Sequence, residues 1–289
     1  MSEDTGVWTY AITEDGHLSG PDGEVDLTWL TGVGEAKVRT STSCGLTALV
    51  SDVSLAEFGE AALRENLENL DWLDEVAREH HYVIDAAARL FPLLPVRLAT
   101  VYSGDAAVSA ALAEHNGQLF DVLRRVGGRV EWGVKAYPAQ EPEAAPESGK
   151  PESDKAGPAP AAGNLAGKEG AGEDAGPGGG AGLAYLNRRR TQLTAAREAK
   201  ATAVNAVQAV HADLTAKATD TRLYPAQSAQ LSGVRQPMLL NAAYLLDPGD
   251  SVTFTAAVAG LATAHRELRI ELTGPWPPYS FAGDDDDGR

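Results

Sequence analysis

The middle of the chain places the strongest constraint on its fold. Residues 138–182 run from PAQEPEAAPE to GPGGGAG and consist largely of alanine, glycine and proline. Because this stretch has almost no large apolar side chains with which to bury a core, we predict a disordered linker or a long excursion of the chain. It would separate an N-terminal unit, residues 1–137, from a C-terminal unit, residues 183–282, which is followed by an acidic tail, residues 283–289.

Apolar periodicity predicts mixed helices and strands in the N-terminal unit. Residues 7–12 and 46–53 have the composition of strands, and AKVRTST precedes the second of them as the other half of a hairpin. From Leu70 to Pro92 apolar residues recur every three or four positions, which predicts one long amphipathic helix. VRLATVY and VEWGVKAY predict two further strands, with a helical stretch between them that breaks near Gly117.

The C-terminal unit has a similar mixed pattern. A long helix is predicted over residues 183–219, with an apolar stripe of Leu186, Leu193, Val204, Val207 and Leu214. LYPAQ is a candidate edge strand because it contains a proline, MLLNAAYLLD is apolar on both faces, and residues 268–272 alternate as a last strand after another helix. We therefore predict an α+β protein of two α/β sandwich units in a ferredoxin-like arrangement.

The last predicted strand leads into ELTGPWPPYSF. Three prolines hold this segment extended and present Trp276 and Tyr279 in fixed directions. Two interpretations are open. The aromatic side chains can form a docking surface for a partner, or they can staple the tail onto their own domain.

Charge and composition exclude several classes of protein. A net charge of −17 argues against nucleic-acid binding, which requires clustered lysine and arginine. One cysteine, Cys44, cannot form an intramolecular disulfide, and no apolar run approaches the roughly 20 residues of a membrane span. We expect a cytoplasmic protein that contacts neither nucleic acid nor membrane.

No group of residues matches a known catalytic or metal-binding pattern. His80 and His81 are adjacent within the predicted long helix and are expected on its surface, without an HExxH partner. Cys44 has no histidine near it in sequence, and GVGEAK lacks the third glycine of a nucleotide-binding turn. We therefore expect no catalytic residues, no cofactor and no metal.

Four segments together carry a family resemblance. They are SDVSLAEFGEAALRENLENLDWLDEVAREHHYVIDAA, LPVRLATVY, VEWGVKAY and LRIELTGPWPPYSF. Through them the chain resembles the gas vesicle GvpL/GvpF family. The resemblance implies two ferredoxin-like or modified ferredoxin-like domains, no enzymatic activity, and a role in forming gas vesicles, the air-filled protein shells that confer buoyancy. It implies localisation to the gas vesicle or the cytoplasm.

The resemblance also implies partners. The expected partner is the amphipathic gas vesicle shell protein (GvpA-type), alongside other gas vesicle accessory proteins, with the chain acting as an assembly or nucleation factor. One alternative is a minor structural component on the inner shell surface. Another, from a different class, is a small-ligand-binding or enzymatic ferredoxin-like protein.

Five residues within the matched segments are candidates for a protein interface. They are Arg97, Trp132, Lys135, Trp276 and Tyr279. Arg97 and Lys135 are expected to point outward on adjacent strands. Each has an alternative interpretation. Trp132 lies on the apolar side of its strand and can instead belong to the core, and Arg97 can instead form an ion pair with a helix carboxylate such as Asp85.

Overall fold

A computed structural model of the chain describes residues 5–20, 23–139, 179–226 and 236–283. Its strands are β1 (Thr5–Glu14), β2 (Ser19–Gly20), β3 (Gly23–Glu24), β4 (Arg39–Ser43), β5 (Leu46–Ser54), β6 (Leu94–Pro95), β7 (Val101–Tyr102), β8 (Val130–Pro138), β9 (Asp220–Leu223), β10 (Leu240–Leu246) and β11 (Leu268–Trp276). Its α-helices are α1 (Leu55–Phe58), α2 (Glu60–Asn66), α3 (Leu70–Ala88), α4 (Asp105–Glu114), α5 (Asn116–Val126), α6 (Gly179–Thr215) and α7 (Ser251–Ala264). Most of the predicted linker and the acidic end of the predicted tail lie outside the described residues.

The first large sheet has the order β4-β5-β1-β6, and β7 also pairs with β1. The predicted hairpin is confirmed, since β4 and β5 pair antiparallel around a turn at Cys44, whose φ is 53°. One face of β1 and β5 packs against α3, and the other packs against α4 and α5. Helix α3 begins at an Asn69 cap and ends before Pro92, so the predicted long helix is also confirmed.

The second large sheet has the order β11-β8-β10-β9 and is antiparallel throughout. Strand β8 is the VEWGVKAY segment, which from the sequence we assigned to the N-terminal unit, and in the structure it pairs with β10 and β11. Pairing of strands far apart in sequence depends on tertiary packing, which local periodicity does not report. The predicted mixed α/β character is confirmed, whereas the ferredoxin-like description of each unit stays a prediction.

VRLATVY was predicted as a single strand, and that prediction is wrong. The chain pairs with β1 at β6, leaves the sheet in a turn, and pairs with β1 again at β7. In the turn, the Thr100 hydroxyl donates to the Arg97 carbonyl at 2.8 Å and Ala99 has a φ of 63°. Opposite this turn, β1 carries a β-bulge against β5 between Thr9 and Ala11, and a bulge bends the strand and disrupts regular pairing locally.

Helix α6 packs on the second sheet only through its C-terminal part. The buried side chains on this helix are Ala203, Ala206, Val207, Val210 and Leu214. Leu186 and Leu193 of the predicted stripe are 63% and 51% exposed, and Val204 is 38% exposed. Alanine at 203 and 206 allows the helix to approach the sheet closely, so the contact face is rotated away from Val204. The same sheet face is covered by α7, through Phe254 and Val258.

The two sheets share a third apolar cluster. It joins residues of β1 and β5 to α4 and α5, to Ala243 and Leu245 on the second face of β10, and to Phe281 of the tail. Because both faces of β10 are buried, its sequence is apolar without alternation. The tail therefore lies where the two sheets meet.

Candidate protein interface

The end of β11 approaches β8 closely at a glycine. Gly274 has a φ of 125°, and a Cβ atom there would lie 2.8 Å from the carbonyl oxygen of Glu131 and 3.1 Å from the ring of Trp132. The register of β11 against β8 shifts at this point, between Thr273 and Trp276. Glycine is thus the residue that permits both the turn and the close approach.

Beyond the end of β11, a buried carboxylate holds the tail to the second sheet. Glu131 on β8 accepts hydrogen bonds from the backbone N–H of Ser280 at 2.7 Å and from its hydroxyl at 2.5 Å. Burial raises the pKa of Glu131, and the two hydrogen bonds from Ser280 act against that rise. Phe281 follows directly and is fully buried, with the Arg222 guanidinium 5.6 Å from its ring.

The two aromatic residues of the exit contact helix α3 of the other unit. The Tyr279 hydroxyl hydrogen-bonds Nδ1 of His81 at 2.9 Å, and the Trp276 ring lies edge-on to His81 at 5.4 Å between centroids. Burial raises the pKa of Tyr279. Trp276 remains 43% exposed, whereas Tyr279 is half-buried. The aromatic exit thus spans from the second sheet to α3.

His80 does not lie on the helix surface as predicted. Its side chain is 3% exposed, Nδ1 accepts from the Trp8 indole at 3.0 Å, and Nε2 lies 3.1 Å from the Val96 carbonyl. Burial lowers the pKa of His80 to about 4. A signal for this was present in the sequence, because position 80 falls on the same helical stripe as Val76 and Val83.

A wide groove opens between the two sheets. It has a volume of about 1490 Å³. One wall is the edge of the first sheet from Leu94 to Tyr102, the second is edge strand β9 with the two residues after it, and the floor comes from α4 and α5. The tail closes one end through Tyr279, Ser280, Ala282 and Gly283.

Two residues of the groove wall carry buried hydroxyls. The Oγ1 atoms of Thr9 and Thr221 have almost no accessible surface and no hydrogen-bond partner among the described residues. They are exceptions to the rule that buried polar atoms in folded proteins are paired.

The five candidate interface residues do not form one site. Arg97 lies in the turn between β6 and β7, exposed and on the groove wall, and Tyr279 lines the same groove. Trp276 lies against His81, outside it. Trp132 is 8% exposed, packs in the core under α6 and α7, and donates to the Ser251 hydroxyl at 3.3 Å.

Lys135 and Arg97 are not on adjacent strands. Lys135 is half-buried on β8 in the second sheet, between Asn241 on β10 and Glu271 on β11. Asp85, the helix carboxylate named as an alternative partner for Arg97, pairs with Arg89 at 2.7 Å. An interface role for the five residues stays a prediction, and only Arg97 and Tyr279 share a surface.

Three features of the site were missed in the sequence. Glu131 and Ser280 carry no motif, because their contact joins residues 149 positions apart. The free edge of β9 depends on the order of strands in the sheet, and β9 overlaps the predicted edge strand LYPAQ only at Leu223. Within the described ranges no cluster of three or more potential metal ligands occurs, and none of the helices there is long and apolar enough to span a bilayer.

Comparison with known proteins identifies the family. The family described as "Gas vesicle synthesis protein GvpL/GvpF" matches residues 6–283. Gas vesicle protein L of Streptomyces sp. (strain CB03234) is 36% identical over 286 residues, covering 98% of this chain and 95% of that protein. Gas vesicle protein F of the same strain is 27% identical over 280 residues, covering 95% and 98%.

A solved structure has the same fold. The crystal structure of the gas vesicle protein GvpF from Anabaena sp. PCC7120 superposes with a TM-score of 0.59 at 19% identity, covering 97% of each chain. The agreement includes both sheets, since it extends over nearly the whole length. The chain therefore belongs to the GvpL/GvpF family of gas vesicle synthesis proteins.

Proposed function

We propose that this protein binds the amphipathic gas vesicle shell protein and assists its assembly or nucleation, without enzymatic activity. The observation that carries the proposal is the match of residues 6–283 to gas vesicle synthesis proteins, which supports a role in gas vesicle formation. The shell protein as partner, and the assembly step itself, are our proposal.

The physical need for such a protein is clear. A shell subunit that lines a gas space carries a strongly apolar sheet face, and before incorporation that face and its unpaired edges would aggregate in water. A binding protein with free sheet edges and apolar recesses can cover such a subunit until it is incorporated. The described residues offer both in the groove between the sheets.

The first experiment is co-purification of the untagged shell protein with the tagged full-length chain, followed by a titration for the dissociation constant. We expect specific binding and a reduced rate of shell-protein aggregation at equimolar ratio. A chain that neither binds the shell protein nor slows its aggregation would reject the proposal.

A second experiment separates an assembly factor from a retained shell component. Intact gas vesicles are purified, washed with urea and probed for this protein. An assembly factor is lost in the wash and is absent from mature vesicles, whereas a component of the inner surface stays until the shell is collapsed. Retention in washed vesicles would favour the structural alternative.

A further inference from the structure

We propose that the groove between the two sheets is the docking site, and that it takes an extended apolar segment carrying carboxylates, which lies alongside β9. This inference rests on the proposed function, because it assumes that the bound segment is part of the shell protein. It adds the surface, the conformation of the bound segment and its charge.

The groove exposes a backbone edge as well as side chains. Three consecutive residues of β9, from Thr221 to Leu223, line it, as do the next two residues along the chain. Neighbouring side chains of a strand point to opposite faces of the sheet, so an unbroken run within β9 places the edge of its backbone at the wall. Among the described strands, β9 pairs only with β10, which leaves this edge open to a further strand.

The opposite wall has a different chemistry. Strand β6 is only two residues long and contains Pro95, which has no N–H to donate. Val96 directs its own N–H inward, to the Tyr10 carbonyl at 2.8 Å. A strand entering the groove can therefore pair with β9, whereas the first sheet offers it mainly apolar contact through Leu94 and Leu98.

The charge of the groove differs from that of the protein. The chain has a net charge of −17, yet the described residues that line the groove include no aspartate or glutamate. The lining does include Arg97, Arg222 and His115. A segment with one or more carboxylates complements this lining.

Two leucines with nearly equal exposure give a matched test. Leu223 on β9 is 62% exposed and lines the groove, and Leu186 on α6 is 63% exposed and does not. Leu223→Glu adds a carboxylate to the groove wall, and Leu186→Glu adds the same charge away from it. Ala111→Trp, on the α4 floor, fills the groove without changing charge.

Binding of each full-length variant to purified shell protein is measured by titration, with circular dichroism melting to confirm the fold. We expect L223E and A111W each to weaken binding by about tenfold or more, and L186E to stay within twofold of the wild type. On an array of overlapping shell-protein peptides, the wild type should select segments with alternating apolar residues and at least one acid, and A111W should not.

The outcomes separate the inference from the proposed function. A wild type that does not bind the shell protein overturns both. A wild type that binds, with L223E and A111W unchanged, overturns the groove assignment alone, and an equal loss in L186E assigns docking to α6.

Other occupants are also tested. A chain ending at Gly283 that binds tenfold more tightly would make the acidic tail, residues 284–289, the occupant. A wild-type dimer that L223E dissociates would assign the groove to a second copy. Either result overturns the inference.

Discussion

The neutral, buried state of His80 predicts a specific pH dependence of stability. The Trp8 indole donates to Nδ1 at 3.0 Å, so in the folded protein the ring proton sits on Nε2 and points to the Val96 carbonyl. A protonated Nδ1 could no longer accept this hydrogen bond, because its own N–H would face the indole N–H. Burial then lowers the pKa of His80 to about 4, from 6.5 in the unfolded chain.

The sign follows from which state binds more protons. Between pH 6.5 and pH 4 the unfolded chain is protonated at this residue and the folded protein is not, so stability is fully present above pH 6.5 and falls as the pH falls. At about 1.4 kcal/mol for each unit of pKa difference, His80 should remove about 2 kcal/mol of unfolding free energy between pH 8 and pH 5.

The assay is urea unfolding followed by far-UV circular dichroism at pH 8, 7, 6 and 5 and constant ionic strength. His80→Gln is the test variant, because its amide can accept from Trp8 and donate to Val96 but does not titrate. Between pH 8 and pH 5, the loss of unfolding free energy should be about 2 kcal/mol smaller in His80→Gln than in the wild type. His115→Gln removes an exposed histidine and should behave as the wild type.

Equal losses in the wild type and His80→Gln, within about 0.5 kcal/mol, would refute the argument, because another group would then account for the pH dependence. If His80→Gln does not fold, His80→Asn repeats the comparison. The ¹⁵N chemical shifts of the wild-type ring give an independent readout, and a protonated Nδ1 at pH 7 would contradict the hydrogen bond from Trp8.

Three further predictions concern the aromatic exit and α6. Tyr279→Ala should destabilise the protein by about 2 kcal/mol and Trp276→Ala by less than about 1 kcal/mol, since Tyr279 is half-buried and hydrogen-bonded to His81 whereas Trp276 is exposed; equal losses in urea unfolding would contradict this. Glu131→Ala should cost about 1–3 kcal/mol, because the Ser280 N–H and hydroxyl lose their acceptor, and limited proteolysis should then cut the tail faster. Leu193→Ser should leave the melting temperature within about 2 °C, because that part of α6 packs on nothing in the described structure.

The sequence alone was sufficient to predict those helices and strands in which the spacing of apolar residues matches the face that is buried. Helix α3 and the β4–β5 hairpin could be predicted because neighbouring residues determine both of them. The order of the second sheet could not, because β8 finds its partners more than a hundred residues further along the chain. Nothing in VEWGVKAY itself distinguishes a strand of the first sheet from one of the second.

The candidate site was predicted less well than the fold. Arg97 and Tyr279 were identified by family resemblance, and the structure brings them to one groove. Trp132 lies in the core, which was its stated alternative. The features that define the groove, a free edge at β9 and a lining without acidic residues, depend on which surfaces remain open after packing, and composition or spacing does not report this.

The two interpretations of the aromatic exit are compatible in the structure. Ser280 is bound to the second sheet through Glu131, Tyr279 is bound to α3 through His81, and Phe281 is buried in the cluster that both sheets share. The exit therefore fixes the two sheets relative to each other, as the staple interpretation requires. Because Tyr279 also lines the groove, loosening the staple would change the width of the proposed docking site even when no docking residue is altered. Binding losses on mutating the exit must therefore be compared with losses of stability before they are assigned to direct contact.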